Sequence, residues 1–550
     1  MKIHQQLFPN YYRDSVALMQ LSAKIAQYEG VIAASAQMAT AANIQLLLDT
    51  KLLDKSIEAK PNDLLVIIQA DNSEIATNAS IYMKSLLDEN KVTQQGGISR
   101  CQAHSITMGI EMLPTANLAL ISTPGDFAGA EALKALKQGL NVMIFSDNVP
   151  LEQEIMLKQY AQKQNLLVMG PDCGTAIIQG VPLAFANSVK RGDIGVIGAS
   201  GTGIQQVTCL IDQLGFGISH AIGTGGRDLS EEVGGITMLS ALKLLENDPA
   251  TKLIVLISKP PAQSVARKLV LAAQSINKPV VINFLGADTS LEPDLSKSTN
   301  NITWANTLES AAHLAVSLLP NTSQNTSLIL NSAAQRKLIS QSMFADKVKS
   351  LVDTQINIRA LYTGGTFCYE AQILLFDHLL NIKETDLSSN LDNCYSNTPI
   401  KLTNKSFKKL DNVWQSSGHS IIDLGDDDFT RGKAHPMIDP STRNERLLQE
   451  AHDPSTAIIL LDLVLGYGAH ENPALSLVAT IKQARDIAKM AGRSLIFVGF
   501  ICGTQSDPQN YQTQESLLEE AGVILAGSNA HAIEIAATIF KLINQNNKEL

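Results

Sequence analysis

The stretch running from Gly192 to Gly215, GDIGVIGASGTGIQQVTCLIDQLG, decides the fold. Its apolar run through Val196 and Ile197 reads as a strand. After a glycine-rich turn, Val207, Leu210, Ile211 and Leu214 fall at i, i+3, i+4 and i+7, one apolar face of a helix. A strand that feeds a helix through a tight turn is the repeating unit of a parallel α/β sheet. The spacing starts the helix near Thr202, where the first amides lack intrahelical partners. The helix dipole adds about half a positive charge there. Glycine lets an oxyanion approach the backbone, and Ser200 and Thr202 add hydroxyls. The turn is G-x-x-G-x-G, neither the dinucleotide fingerprint nor the lysine-bearing P-loop. Ser200, Gly201, Thr202 and Gly203 are therefore candidate phosphate-binding positions. The plain alternative is a tight turn with Ser200 as its N-cap.

Working outward, short apolar runs alternate with amphipathic stretches along most of the chain. The reading is α/β, with several Rossmann-like or flavodoxin-like parallel-sheet domains. Residues 1–95 read as a small N-terminal α/β domain, followed by the polar stretch TQQGGISRCQ. Residues 112–190 read as a Rossmann-like unit, built from "NLALISTPGDFAGAEALKALKQG", "NVMIFSDNVPLEQEIMLKQYAQKQ" and "LLVMGPDCGTAII". Residues 191–320 carry four strand-loop units, and 321–354 read as a linker opened by PNTSQNTS. Residues 355–545 repeat the plan of 191–320. "IRALYTGGTFCYEAQILL" answers "IGVIGASGTGIQQVTCL", and "SIIDLGDDD" answers "SHAIGTGGRD". "AIILLDLVLGYG" answers "LIVLISKPPA", and "LIFVGFICGTQSD" answers "PVVINFLGAD". Two like domains can pack as a pseudo-dimer and share a site. The second turn, Gly364, Gly365 and Thr366, is then a second helix start aimed at the same anion.

Other loops sit at strand ends, where open α/β sheets place ligands. "GTGGRD" brings Arg227 and Asp228, and "SKPPAQ" brings Lys259. "GDDDFTRGKAHPMIDPSTRNER" brings Asp426, Asp427, Asp428, Arg431, Lys433, His435 and Arg443. Arginine clamps a carboxylate or phosphate through two parallel hydrogen bonds, and His435 is placed to polarise a carbonyl or move a proton. The catalytic candidates are His435, Arg227 and Arg431. Lys259, Arg443 and Asp172 (in GPDCGTA) are candidates for substrate binding. The competing reading makes the aspartates a solvated turn and Cys173 a small packed thiol.

Net charge is -10 over 550 residues, and charged residues make up 17% against 45% hydrophobic. Such a chain carries ample core, and its negative surface argues against nucleic acid or an anionic membrane as partner. The six cysteines form no C-x-x-C pair, so neither a zinc knuckle nor a disulfide framework is expected, and no metal site is proposed. With no apolar signal core at the start and no membrane-length apolar run, the expected location is the cytoplasm.

The stretches "NVMIFSDNV", "LLVMGPDCGT", "PLAFAN", "GVIGASGTGIQ", "HAIGTGGRDLSEEVGGI", "SKPPA", "LYTGGT" and "HPMIDPSTRN" resemble the FdrA family. That family is related to the α subunit of succinyl-CoA synthetase. The resemblance implies that Ser200-Gly201-Thr202 lies at a phosphate site. It also implies that the region of Gly364-Gly365-Thr366 supplies the opposing helix that a β subunit gives in the synthetases, both halves being fused here. The synthetases carry the phosphoryl group on a histidine in a loop after the fourth strand of the α ligase domain. This chain has no histidine from 221 to 312, and His313 reads as a packed core residue in ESAAHLAV. No block is left to form an ATP-grasp module.

A cradle without a carrier suits a substrate that arrives already activated. An acyl or carbamoyl phosphate fits, and the first reading, which the FdrA resemblance implies, is a carbamoyltransferase subunit. It uses carbamoyl phosphate and oxamate, a small carboxylate, together with separate protein subunits, and requires no cofactor. The second is a nucleoside-diphosphate-forming acyl-CoA synthetase, which would bring CoA and nucleotide. The sparse glycine of STPGDF weighs against CoA binding in 112–190. The third is a non-catalytic scaffold that keeps the cradle as a structural anion site.

Overall fold

The computed structural model describes the chain except residues 1, 14, 51, 54–56, 93–102, 288–300, 320–341, 381–392, 403–404, 432 and 550. The chain divides into two units. The first is Met1–Asp172 with Phe429–Asp439, and the second is Cys173–Asp428 with Pro440–Leu550.

The second unit carries the duplication. Its first sheet places the strands Ile218–Gly223, Arg191–Gly198, Leu253–Ser258, Val280–Phe284 and Ile302–Trp304 side by side, all parallel. In chain order that is 2-1-3-4-5, the flavodoxin-like winding. Its second sheet places His419–Asp423, Asn357–Tyr362, Thr456–Val464, Ile496–Cys502 and Ile524–Ala526 in the same 2-1-3-4-5 order. Every pairing of loops read from the sequence falls on topologically equivalent strands. The central strands are buried on both faces, which is why they read as unbroken apolar runs rather than alternating ones. The two sheets differ at one edge. Thr175–Ile178 and Val181–Ala184 add an antiparallel hairpin to the first, whereas Cys394–Ser396 and Lys408–Lys409 add parallel strands to the second.

That hairpin moves a boundary. The unit expected to run to residue 190 ends at Asp172, because 175–184 hydrogen-bonds to the following sheet. What precedes it is a three-stranded parallel sheet, Leu118–Ile121, Asn141–Ile144 and Val168–Met169, with helices Gly125–Lys137 and Leu151–Lys163. In the N-terminal block the expected helices and strands form, but the sheet is antiparallel. Lys2–Phe8, a strand outside the expected elements, pairs with the central Leu64–Ala70. The stretch TQQGGISRCQ lies outside the described residues. So does most of the linker expected at 321–354, although Ser342–Lys349 within it is a helix.

The two halves of the second unit are stitched by buried polar contacts. Asn187 donates to the Leu465 carbonyl (2.9 Å) and to Asp507 (2.8 Å), whose other oxygen accepts the Ser188 amide. Gln213 donates to the Gly503 carbonyl. Glu370, fully buried on helix Gly365–Leu380, accepts the Leu308 amide from one half and the Asn529 side chain from the other.

Burial pushes the Glu370 carboxyl up from 4.5 to about 7, the two hydrogen bonds only partly opposing it. A raised folded value means that the folded chain binds more proton than the unfolded chain between those limits. This group's stabilisation is therefore present below pH 4.5 and lost as pH rises toward 7. The expected result is that wild type loses about 2–3 kcal/mol more stability than Glu370→Gln between pH 5 and pH 8. Urea unfolding at the two pH values measures it, and equal losses in both proteins would remove Glu370 as the cause.

Candidate active site

The first turn forms as its residues dictate. Arg191–Gly198 ends at the turn and helix Gly201–Gln213 begins after it, with Ser200 extended (φ -154°) as N-cap. Its Oγ accepts the Gly203 amide at 2.9 Å. The second turn lies between Asn357–Tyr362 and helix Gly365–Leu380.

The two turns meet. Ser200 Oγ and Thr366 Oγ1 share a hydrogen bond of 2.5 Å. A Cβ added to Gly364 would lie 2.9 Å from Thr202 Cγ2, so only glycine permits this approach. Thr202, Gly203, Gly364 and Thr366 are buried, while Ser200, Gly201 and Gly365 keep partial exposure and form the open side. Two helix starts thus converge at one partly open point, outside the carboxyl ends of the strands.

Two carboxylates flank the second turn, and they are unlike. Asp462 is saturated. It accepts the Thr363 amide, the Thr363 hydroxyl (2.9 Å) and the Gly364 amide (3.0 Å), and Arg443 lies 3.8 Å away. Asp423 ends its strand at 7% exposure. Its Oδ1 accepts the Gly425 amide, and no hydrogen bond from a described residue reaches its Oδ2. That oxygen would lie 2.5 Å from a Cβ added to Gly365. Burial pushes Asp423 up to about 6, with the Lys259 charge pulling the other way. Lys259, at the exposed end of the loop after Leu253–Ser258, sits 5.8 Å over the Tyr369 ring.

The other candidates divide. Lys259 stands at the edge of this site. Arg443 does not face it: the side chain is buried and donates to the Asp462 carbonyl at 2.8 Å, so it holds the turn rather than a substrate. Arg227 is exposed on its loop. Its neighbour Asp228 is buried and accepts the Thr237 and Met238 amides at the start of helix Ile236–Asn247. Arg431 and His435 lie on Phe429–Asp439, and Asp172 also belongs to the first unit, whereas both turns belong to the second. Burial pushes His435 down to about 4, and its Nδ1 accepts the Met437 amide. Cys173 is the packed thiol, its Sγ donating to the Gly223 carbonyl. Asp423 was not singled out by the sequence reading. Its signal was an acid ending an apolar run, SIID, beside a more conspicuous run of three aspartates.

Residues 361–539 match the family model described as CoA-ligase, and residues 189–286 match the CoA binding domain. The latter falls on the block holding the first turn rather than on 112–190. Residues 1–103 match a model described as AllF, heavy metal-associated domain. That stretch has one histidine, His4, and one cysteine, Cys101, so it offers no thiolate pair to a soft metal. No group of three His, Cys, Asp or Glu is arranged to hold a metal among the described residues. No helix of the described residues is long and apolar enough to cross a membrane.

The succinate–CoA ligase [ADP-forming] α subunit of Aquifex aeolicus is 28% identical over 177 residues, 31% of this chain and 57% of that subunit. The ADP-forming sulfoacetate-CoA ligase subunit SauD of Bilophila wadsworthia is 29% identical over 199 residues, 34% of this chain and 65% of SauD. Among solved structures, PH0766 from Pyrococcus horikoshii aligns over 82% of this chain and 89% of its own at 13% identity, with a TM-score of 0.32. By the two family models and the ligase relatives, the second unit is similar to the acyl-CoA synthetase scaffold. The uncharacterized protein YahF of Escherichia coli is 41% identical over 525 residues, covering 95% of this chain and 96% of YahF. By that identity over nearly the full length of both proteins, the chain belongs to the same family as YahF.

Proposed function

We propose that the second unit performs the acyl-phosphate step of CoA-ligase chemistry, interconverting an acyl phosphate and a thioester of CoA. The observation that carries this reading is the meeting of Ser200 and Thr366, which brings two helix starts to one point. Their dipoles and unpaired amides would hold phosphate as the leaving group and stabilise charge as it departs. The family matches and the ligase relatives favour the CoA thiol as acceptor.

A second reading rests on a different observation. The absence of histidine from 221 to 312 leaves no phosphoryl carrier in the region where the synthetases hold one. The FdrA resemblance then favours carbamoyl phosphate as donor and the nitrogen of oxamate as acceptor, with separate subunits completing the complex. In both readings the chain is an acyl-group transferase that needs a preformed acyl phosphate and works in the cytoplasm.

The full chain, alone and with its co-purified partners, is mixed with acetyl or carbamoyl phosphate, and phosphate release is measured with CoA, with oxamate and with neither. Release dependent on CoA supports the thiol reading, and release dependent on oxamate supports the nitrogen reading. Folded complex that releases phosphate with neither acceptor overturns both.

A further inference from the structure

The duplication provides a control for what the fold itself needs. Tyr362 pairs with Asp423 in the second half as Gly198 pairs with Gly223 in the first. Asp462 lies one residue beyond the partner of Leu361, in the place that Ile257 takes opposite Gly198. The first half therefore builds the same winding with glycine and isoleucine where the second half has two buried acids. Neither acid is required by the sheet. Asp462 is accounted for by the turn it holds. Asp423 is not: one oxygen takes the Gly425 amide, while the other lies against Gly365, the residue before Thr366 at the start of the second helix, and receives no hydrogen bond among the described residues. That oxygen keeps contact with solvent while the carboxyl as a whole sits largely out of water, so an incoming X–H group can reach it.

We propose that Asp423 Oδ2 is the proton acceptor of this site, taking the proton of the attacking nucleophile, with Lys259 as the cation that offsets the charge. The proposal rests on the acyl-phosphate reading and deepens it. The thiol or amide X–H attacks the carbonyl carbon and the C–X bond forms. The C–O bond to phosphate breaks, its electron pair leaves on the phosphate oxygen, and the X–H proton passes to Asp423. In the reverse direction the protonated carboxyl returns that proton to the departing sulfur or nitrogen. The charged and titratable groups facing Asp423 are Lys259 from the first half and Asp426, Asp462 and Cys368 from the second. Lys259 favours the carboxylate, the two aspartates oppose it, and Cys368 stays a neutral thiol because burial pushes it up. Phosphate arriving at the helix starts adds negative charge and raises Asp423 further, so anion binding should bring a proton with it.

Two measurements on the full chain and its complex test this. Calorimetric titration with inorganic sulfate, which does not titrate near neutrality, is run at pH 6.5–7 in buffers of different ionisation heat. Wild type is expected to take up a substantial fraction of a proton per sulfate, and Asp423→Asn none, while binding sulfate at least as tightly. Phosphate release by Asp423→Asn is expected to fall by about 10²–10³, with loss of the rising limb of the pH–rate profile near pH 6. Sulfate binding without proton uptake in wild type, or Asp423→Asn keeping its rate within threefold and its pH limb, overturns Asp423 and leaves the cradle standing. Failure of wild type to bind either sulfate or phosphate overturns the cradle and Asp423 together. Equal melting temperatures of the two proteins exclude misfolding as the cause of a lost rate.

Discussion

Ser200→Asp is expected to melt within about 2 °C of wild type and yet bind phosphate 30- to 100-fold more weakly. Aspartate is as good an N-cap as serine, so the Gly203 amide that now meets Ser200 Oγ keeps an acceptor and the helix start remains capped. What changes is charge. The carboxylate would occupy the point where Ser200 meets Thr366, facing the second helix start. It would neutralise the positive ends of both dipoles and repel any incoming anion. Two unit charges about 4 Å apart at an effective dielectric near 20 repel by about 4 kcal/mol, and half of that already gives a 30-fold loss. Ser200→Ala separates the effects: it removes the cap without adding charge, and should cost about 1 kcal/mol of stability with a much smaller loss of affinity. Phosphate titration calorimetry and thermal melting of the three proteins measure both quantities. If Ser200→Asp binds phosphate within threefold of wild type, the anion does not sit at these helix starts.

The same positions show how much the sequence disclosed. Runs such as LIVLIS and AIILLDLVL are buried on both faces, so their lack of alternation was itself the signal of a parallel sheet. The glycine turns were legible because Gly198, Gly201 and Gly203 stand between a strand pattern and a helix pattern. Their partner turn was legible because the order of strands and loops repeats. Four features were hidden. The hairpin at 175–184 reads like its neighbours, since the choice of sheet depends on which strand offers an edge, not on local pattern. In the strand Lys2–Phe8 the polar run His4, Gln5 and Gln6 interrupts the apolar residues Ile3, Leu7 and Phe8 that pack on the cores, which weakens its local signal. Arg443, read as chemistry by type, is committed to the Asp462 carbonyl, a partner that only tertiary structure supplies, and His435 is buried with its Nδ1 taken by the nearby Met437 amide. Asp423 was passed over for the opposite reason: nothing local distinguishes an open carboxylate from a capped one.

Asp462 is where the architecture of the site should prove most sensitive to a single change. Its carboxylate holds the Thr363 and Gly364 amides and the Thr363 hydroxyl, and answers the charge of Arg443, all out of water. Burial pushes Asp462 upward, while Arg443 and these hydrogen bonds pull it back toward the charged form. Asp462→Leu is expected to cost about 3–5 kcal/mol, because it strands a buried guanidinium and leaves the turn's donors unmet. If the arginine left behind is the larger part of that cost, removing it as well should help. The double variant Asp462→Leu with Arg443→Met is therefore expected to recover about half of the loss, since replacing both members of a buried pair by apolar groups is far less damaging than replacing one. The recovery would not extend to the site. Thr363 and Gly364 would still lack their acceptor, the turn would no longer be held against Thr202, and phosphate binding should remain lost in the double variant. Urea unfolding and phosphate titration of the two single variants and the double variant give the full cycle. Stability and binding recovering together would show that Asp462 serves only the core. Recovery of stability alone would show that this carboxylate also shapes the turn that meets the anion.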